Sequence, residues 1–410
     1  MSVFLLTTLD TKGREAAFVR ERLRAAGVDV KVVDTGCLGE PAFPADVSRE
    51  DVFRAANTSL EAMLALGDRG EAVTRAARGA AALIKNRHEA GVLSGVLGIG
   101  GGAGTTIGTA AMRELPIGVP KLMVSTLASG EVGHFVGSKD VLMMNSVVDI
   151  LGLNRISRAV LTRAAQAMAG MVAGGPVNMG EAAKGAGDDR PLVAATMFGV
   201  TTPCVERARE VLEEAGYEVL VFHATGAGGR TLESLADEGL LAGVLDITTT
   251  ELADELVGGY LTAGPERLTA AGRRGVPQLV SVGATDMVNF HGIDTVPERF
   301  RNRRLYKHNE NVTLMRTTAE ECAAIGRDIG RKVEEATGPT AVLLPLRGVS
   351  AIDREGQPFD DPEARAALFS SLRASAGDVE IVELDRHVND PDFAEAAARK
   401  LIELMEAKTR

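Results

Sequence analysis

The 410-residue chain has no tryptophan, three tyrosines and three cysteines, and its net charge is −11. A nucleic-acid groove needs positive potential and stacking faces, so that class of partner is excluded. Cys37, Cys204 and Cys322 are far apart and form no Cys-x-x-Cys pair. Neither a disulfide framework nor a cysteine metal site follows, and a reducing, cytoplasmic location is expected. No uncharged apolar run reaches the roughly 18 residues of a membrane span, so none is expected. The N-terminal MSVFLLTTLDTKG is apolar for only a few residues and no basic stretch precedes it. It reads as a first strand rather than a signal peptide. His-Glu-x-x-His, a Gly-x-Ser-x-Gly elbow and the Gly-Lys-Ser/Thr close of a Walker loop are all missing. Proline is sparse at 15 while glycine reaches 46 without any period, so the glycines must be explained loop by loop.

What is present describes a folded globular chain, 45% hydrophobic and 25% charged. Its length exceeds one ordinary core, which predicts two domains. Short apolar runs alternate with amphipathic ones, the pattern of βαβ units and parallel sheets. Strands are expected at Val3–Thr7, Val28–Val33, Gly95–Ile99 and Lys121–Ser125, with helices at Arg14–Ala25, Glu71–Ala90, Thr105–Arg113 and Ile156–Ala173. Small and polar residues from Gly174 to Asp189 mark a break, dividing the chain into 1–187 and 188–410. Beyond it, strands fit Pro191–Met197, Glu218–Phe222, Leu241–Ile247, Gln278–Val282 and Ala341–Pro345. Helices fit Val205–Ala215, Leu252–Leu261, Ala319–Ala336, Pro362–Ala374 and Pro391–Ala407. The expected class is α/β, with two Rossmann-like three-layer subdomains and mainly parallel sheets. VFLLTTLDTKGREAAFVRERLRAAGVDVKVVDTG also parallels LVAATMFGVTTPCVERAREVLEEAGYEVLVFHATG. Duplication explains this, and so does the common punctuation of βαβ units, whose helices stop at Gly before a strand.

The strongest single motif is GVLGIGGGAGTT, Gly95 to Thr106. A strand runs through Gly100, Gly101, Gly102 and Gly104 into a helix start at Thr105 and Thr106. Bare backbone N–H groups and a helix N-terminus suit a phosphate or another anion. Tight strand–helix packing without a ligand is the competing explanation. The next strand ends in Ser125-Thr126 with no acidic residue, which disfavours a dinucleotide. Ser125, Ser129 and Gly130 lie where open α/β sheets place ligands. In the first loop, Lys12 suits a phosphate and Asp10 suits Mg²⁺, against a helix cap at Asp10 or Thr11 with a solvated lysine. Asp34 ends the second strand, placed for a ribose hydroxyl or a metal, or else for an Asx turn before Gly36.

The second half offers FHATGAGGR, with His223 as acid or base and Thr225, Gly228 and Arg230 toward an anionic substrate. Asp246 begins a polar DITTTEL turn that also reads as simple capping. Asp286 and His291 form a candidate base with its orienting carboxylate. Arg347 is a candidate carboxylate or phosphate clamp, or a surface ion pair. Cys204 at a helix start reads as structural. No metal-ligand spacing is evident.

The motifs TLDTKG, DRGEA, GIGGGAGTT, PKLMVSTLASG, GLNRISR, ATMFGVTTPCV, FHATGAGGR, DITTTELADELVGG, MVNF, VPERF, VTLMRTT and LPLRGVSAID run collinearly through nearly the whole chain. In them the sequence resembles the family of the ATP-binding N-terminal domain of the tomato mosaic virus resistance protein. The resemblance implies two α/β subdomains, ATP with Mg²⁺ as ligand, and a homodimer or higher homo-oligomer. The TIM-barrel domain that follows in the plant protein has no counterpart before Arg410, so a stand-alone bacterial-type member is expected. The combined expectation is an ATP-binding, Mg²⁺-dependent metabolic enzyme acting on a small anionic metabolite in the cleft between subdomains. The alternatives are a non-catalytic nucleotide-binding regulatory module, and a lyase or hydrolase that does not use ATP in its chemistry.

Overall fold

A computed structural model describes residues 1–37, 39–175 and 190–409. The chain divides into two compact units, Met1–Asp189 and Arg190–Arg410. The expected change-over at 187/188 lies outside the described residues.

The first unit runs β1 (Ser2–Thr7), α1 (Leu9–Ala25), β2 (Val30–Asp34), α2 (Arg49–Ala55), α3 (Leu60–Leu66), α4 (Arg69–Glu89), β3 (Leu93–Gly100), α5 (Gly102–Arg113), β4 (Lys121–Ser125), α6 (Gly133–Val136), β5 (Leu142–Asn145) and α7 (Arg155–Ala173). Its sheet has the order β2-β1-β3-β4-β5, and every pairing is parallel. Side chains alternate across a strand, so one buried strand feeds two cores. Val3 and Leu5 of β1 pack with Leu161, Ala164 and Met168 of α7. Phe4 and Leu6 pack with Ala76, Ala80 and Ile107 of α4 and α5. The small-residue face of α7 is therefore used inside the unit. α1 stops because Gly27 takes a left-handed φ of 78°.

The second unit runs β6 (Leu192–Met197), α8 (Thr202–Glu214), β7 (Glu218–His223), α9 (Ala227–Asp237), β8 (Gly243–Thr248), α10 (Thr250–Val257), α11 (Ala270–Arg273), β9 (Gln278–Gly283), β10 (Met287–Phe290), β11 (Leu305–Asn309), β12 (Val312–Arg316), α12 (Ala319–Glu334), β13 (Thr340–Pro345), α13 (Pro362–Ser375), β14 (Glu380–Leu384) and α14 (Pro391–Thr409). The main sheet has the order β14-β13-β9-β8-β6-β7 and is parallel throughout. One face carries Cys204, Ala208 and Leu212 of α8 with Phe393 and Leu401 of α14. The other carries Ile325 and Ile329 of α12 with Leu368 and Leu372 of α13. A separate antiparallel sheet, β10-β12-β11, was not anticipated. Its strand β11 is half-exposed to exposed along its length, so the period-two apolar signal of a strand is absent there.

Each unit thus begins with the same path. The first strand lies in the sheet interior, the second beside it, and the third on its other side. The chain reverses direction between the first and third strands. In open α/β sheets, ligands bind outside the carboxyl ends of the strands at that reversal. For the first unit this is the crevice between the ends of β1 and β3. For the second it is the crevice between β6 and β8.

Candidate functional site

In the first unit the reversal holds a solvent-open cavity of about 630 Å³. The loop after β1 contributes Thr8, Asp10, Thr11 and Lys12, and the turn after β3 contributes Gly101 to Gly104. Arg69 and Val73 of α4 close a third side. Gly101 is the N-cap of α5 and provides no side-chain cap. The first-turn N–H groups at Gly102, Ala103 and Gly104 have no intrahelical carbonyl to bond, which leaves partial positive charge there.

The glycines do different jobs. A Cβ on Gly100 would lie 2.8 Å from the Gly104 Cα, so Gly100 is demanded by the close turn. A Cβ on Gly101, Gly102 or Gly104 would meet nothing nearer than 3.7, 3.9 and 3.5 Å respectively. None of these positions has a left-handed φ. Packing and backbone strain therefore do not require those three glycines, and their bareness leaves a floor of backbone.

Lys12 sits at a kink in α1, with φ −124° and ψ 20°. Neither Lys12 nor Arg69 forms a salt bridge among the described residues, so two cations and a helix N-terminus share one cavity. Asp10 accepts a hydrogen bond from the Gly39 N–H at 3.2 Å. The N-cap of α1 is Thr8, not Asp10 or Thr11. Cys37 also reaches the cavity, and burial pushes its thiol up to about 11.

Several first-half expectations are corrected. Asp34 is buried, and its Oδ1 accepts from the N–H groups of Leu9 and Gly36, both at 2.9 Å. It fixes the start of α1 and closes the Asx turn before Gly36 that was the alternative reading. Thr105 and Ser125 are buried and share a 2.6 Å hydrogen bond, and Thr105 also donates to the Gly101 carbonyl. They brace the turn from beneath. Thr106 donates to the Gly102 carbonyl at 3.1 Å. Ser129 and Gly130 occupy an exposed turn after β4 that does not line the cavity.

In the second unit the equivalent crevice is filled. Thr201 and Thr248 share a 2.8 Å hydrogen bond, and Thr196 donates to Asp246 at 2.7 Å. Asp246 is 1% exposed and is gripped by both terminal nitrogens of Arg267, at 2.5 and 2.7 Å. Arg267, fully buried, also holds Glu251 through Nε at 2.6 Å. Asp246 is thus a buried ion-pair member and not an acid or base open to substrate. The other oxygen of Glu251 accepts from the N–H groups of Gly226 and Gly229, at 2.6 and 3.0 Å. The FHATGAGGR turn therefore has a helix N-terminus already occupied by the protein's own carboxylate. Gly228 is a contact glycine, since a Cβ there would lie 2.0 Å from the His223 carbonyl. Arg230 donates to the Thr262 carbonyl at 2.9 Å.

Asp286 and His291 are not partners. Asp286 is buried and accepts from the Ser350 hydroxyl at 2.8 Å, and burial, then the nearby Asp353, raises its carboxyl to about 7. His291 is exposed and lies against Tyr260, ring centroids 3.8 Å apart. Arg347 forms a two-pronged ion pair with Asp385 at 2.7 and 2.6 Å on the exposed surface, which was the alternative reading for it. Cys204 is fully buried, and burial pushes its thiol up to about 12. His223 and Thr225 line a different cavity, beside Phe198 and Tyr260.

The structure therefore brings Asp10, Lys12, Gly101, Gly102 and Gly104 together and disperses the rest. It adds Arg69, which the sequence reading passed over. The signal was available: Asp68 precedes it as an N-cap, accepting from Gly70 and Glu71, so Asp-Arg-Gly-Glu is a helix start. Among the described residues no group of three acidic, His or Cys side chains is arranged for a metal, and no helix is long and apolar enough to cross a membrane.

Comparison with known proteins agrees with this two-part organisation. Residues 1–176 match the N-terminal domain, and residues 190–405 the C-terminal domain, of the Uncharacterised protein family (UPF0261). A UPF0261 protein of Clostridium tetani is 48% identical over 407 residues, covering 98% of this chain and 99% of that one. A UPF0261 protein of Rhizobium meliloti is 48% identical over 398 residues, covering 96% and 97%. The ToMV resistance protein Tm-1(GCR237) of Solanum lycopersicum is 40% identical over an alignment of 420 positions, gaps included, that covers 98% of this chain but 55% of the tomato protein. Matched along both halves and by near-full-length relatives, the chain belongs to the UPF0261 family.

Proposed function

We propose that the first unit binds the phosphoryl groups of a nucleotide, ATP with Mg²⁺, in the crevice between β1 and β3. One contrast carries the reading. The chain has two glycine-rich strand-to-helix turns, and Glu251 fills the helix N-terminus of the second. The first has no side-chain cap and faces a cavity shared with Lys12 and Arg69. Phosphate oxygens would accept from the α5 amides and from the two cations. Mg²⁺ usually keeps several waters and takes one or two carboxylates plus phosphate oxygens. Asp10, the carboxylate in the cavity lining, fits that sparse protein contribution. The bound ion would neutralise phosphate charge.

Isothermal titration with ATP–Mg²⁺ tests this. Gly102→Asp puts an anion in the cavity, and its Cβ has room, 3.9 Å from the nearest atom. Binding is expected to be lost while the melting temperature holds. Unchanged affinity in this folded variant would sink the reading. Lys12→Ala and Arg69→Ala should each weaken binding by about 1.5–3 kcal/mol, the range for a hydrogen bond to a charged group.

A second reading is favoured by the lining itself. It contains one carboxylate and no histidine, so no positioned base is evident for turnover at this site. That supports a nucleotide-binding module that does not hydrolyse its ligand. Phosphate release measured on protein that demonstrably binds ATP separates the two: steady turnover removes the second reading.

A further inference from the structure

We propose that the second unit carries a separate binding site for an uncharged, planar aromatic ring. Its cavity of about 640 Å³ lies at the carboxyl ends of β6 and β7, beside the β11–β12 hairpin. Val200, Leu261, Val312 and Leu314 form apolar walls, and the lining includes no Lys, Arg, Asp or Glu. A phosphate or carboxylate would meet no permanent countercharge there, so the lining differs in kind from that of the first unit.

The aromatic side chains specify shape. Phe198 and His223 are stacked, with centroids 5.4 Å apart and planes 29° from parallel. Tyr260, backed by His291, is 40% exposed although it sits in an apolar cavity. Offset stacking on such faces favours a flat ring over an aliphatic one of equal size. The His223 and His308 imidazoles have no hydrogen-bond partner among the described residues, which leaves polar capacity at the rim for a neutral donor–acceptor group.

The probe is benzamide, with cyclohexanecarboxamide and benzoate as matched controls, titrated calorimetrically into the full chain. Saturable benzamide binding is expected, with each control at least fivefold weaker. Gly199 lines the cavity, has no left-handed φ, and its Cβ would meet nothing within 4 Å. Gly199→Trp should therefore keep the melting temperature and abolish benzamide binding. Phe198→Ala should weaken it about tenfold, one decade being about 1.4 kcal/mol; if that variant unfolds, Gly199→Trp decides. Failure of benzamide to bind, equal binding of cyclohexanecarboxamide, or survival of binding in Gly199→Trp each overturns the proposal. ATP and Gly102→Asp should leave benzamide affinity unchanged, so failure here is distinct from failure of the nucleotide reading.

Discussion

At the scale of single residues, identical letters do unlike work. Gly100 and Gly101 are neighbours, yet only Gly100 is held by contact, 2.8 Å from the Gly104 Cα. Gly100→Ala should cost about 1–3 kcal/mol of stability by overpacking, whereas Gly101→Ala should cost less. Urea unfolding of the two variants checks the difference. Buried carboxylates make a second residue-scale prediction. Burial raises Asp254 to about 7 despite hydrogen bonds from Asn289, and burial with a nearby Asp353 does the same for Asp286. Both lie above the unfolded value of about 3.9, so the folded state binds more protons between those limits. The stabilisation is complete below the unfolded value and is lost as pH rises through about 7. Unfolding at pH 5 and pH 8 should show the protein weaker at pH 8, and Asp254→Asn should reduce that slope. A flat profile would contradict both assignments.

At the scale of elements, the helix termini decide which turn is a site. α9 begins on Glu251, which Arg267 holds in place with Asp246. Glu251→Gln leaves a fully buried guanidinium short of a charge partner, and breaking such a network costs about 3–5 kcal/mol. Loss of stability without loss of ATP affinity is expected, read by denaturation and titration on the same variant. α4 offers the converse. Asp68 caps it directly before Arg69, and Ser59 caps α3 by accepting from Ala62 at 3.1 Å. Asp68→Ala and Ser59→Ala should each cost about 1 kcal/mol. Only Asp68→Ala should also weaken ATP binding, because α4 brings Arg69 to the cavity and α3 brings no residue to it. The βαβ punctuation, the buried strands and the long helices were legible because period and caps are local. The β10–β12 sheet was not, and neither was the carboxylate that occupies the start of α9. Exposed β11 lacks an apolar face, and the helix start after the Gly-Ala-Gly-Gly turn is satisfied by Glu251, more than twenty residues away in the chain.

At the scale of the whole molecule, each unit has large core clusters of its own among the described residues. Residues 1–175 and 190–410, expressed apart, should each fold with cooperative melting. ATP–Mg²⁺ should raise the melting temperature of the first alone, by the linkage that gives about 2.7 kcal/mol at a hundredfold excess over Kd. A shift in the second fragment would place nucleotide binding elsewhere.

The sequence by itself determined the α/β class, the two successive parallel-sheet units and the glycine turn at Gly100–Gly104, since all of these follow from short-range periodicity and backbone sterics. It could not rank its polar strand ends. In one dimension Asp34, Asp246 and Arg347 read equally as chemistry or as local structure, and Asp286 as a base's partner; the tertiary structure gave each an internal partner. Lys12 and Arg69, 57 positions apart, were brought to the same uncapped helix. The physical reason is that charge and hydrogen-bonding capacity are spent wherever a partner sits, and partners distant in sequence are chosen only by the fold.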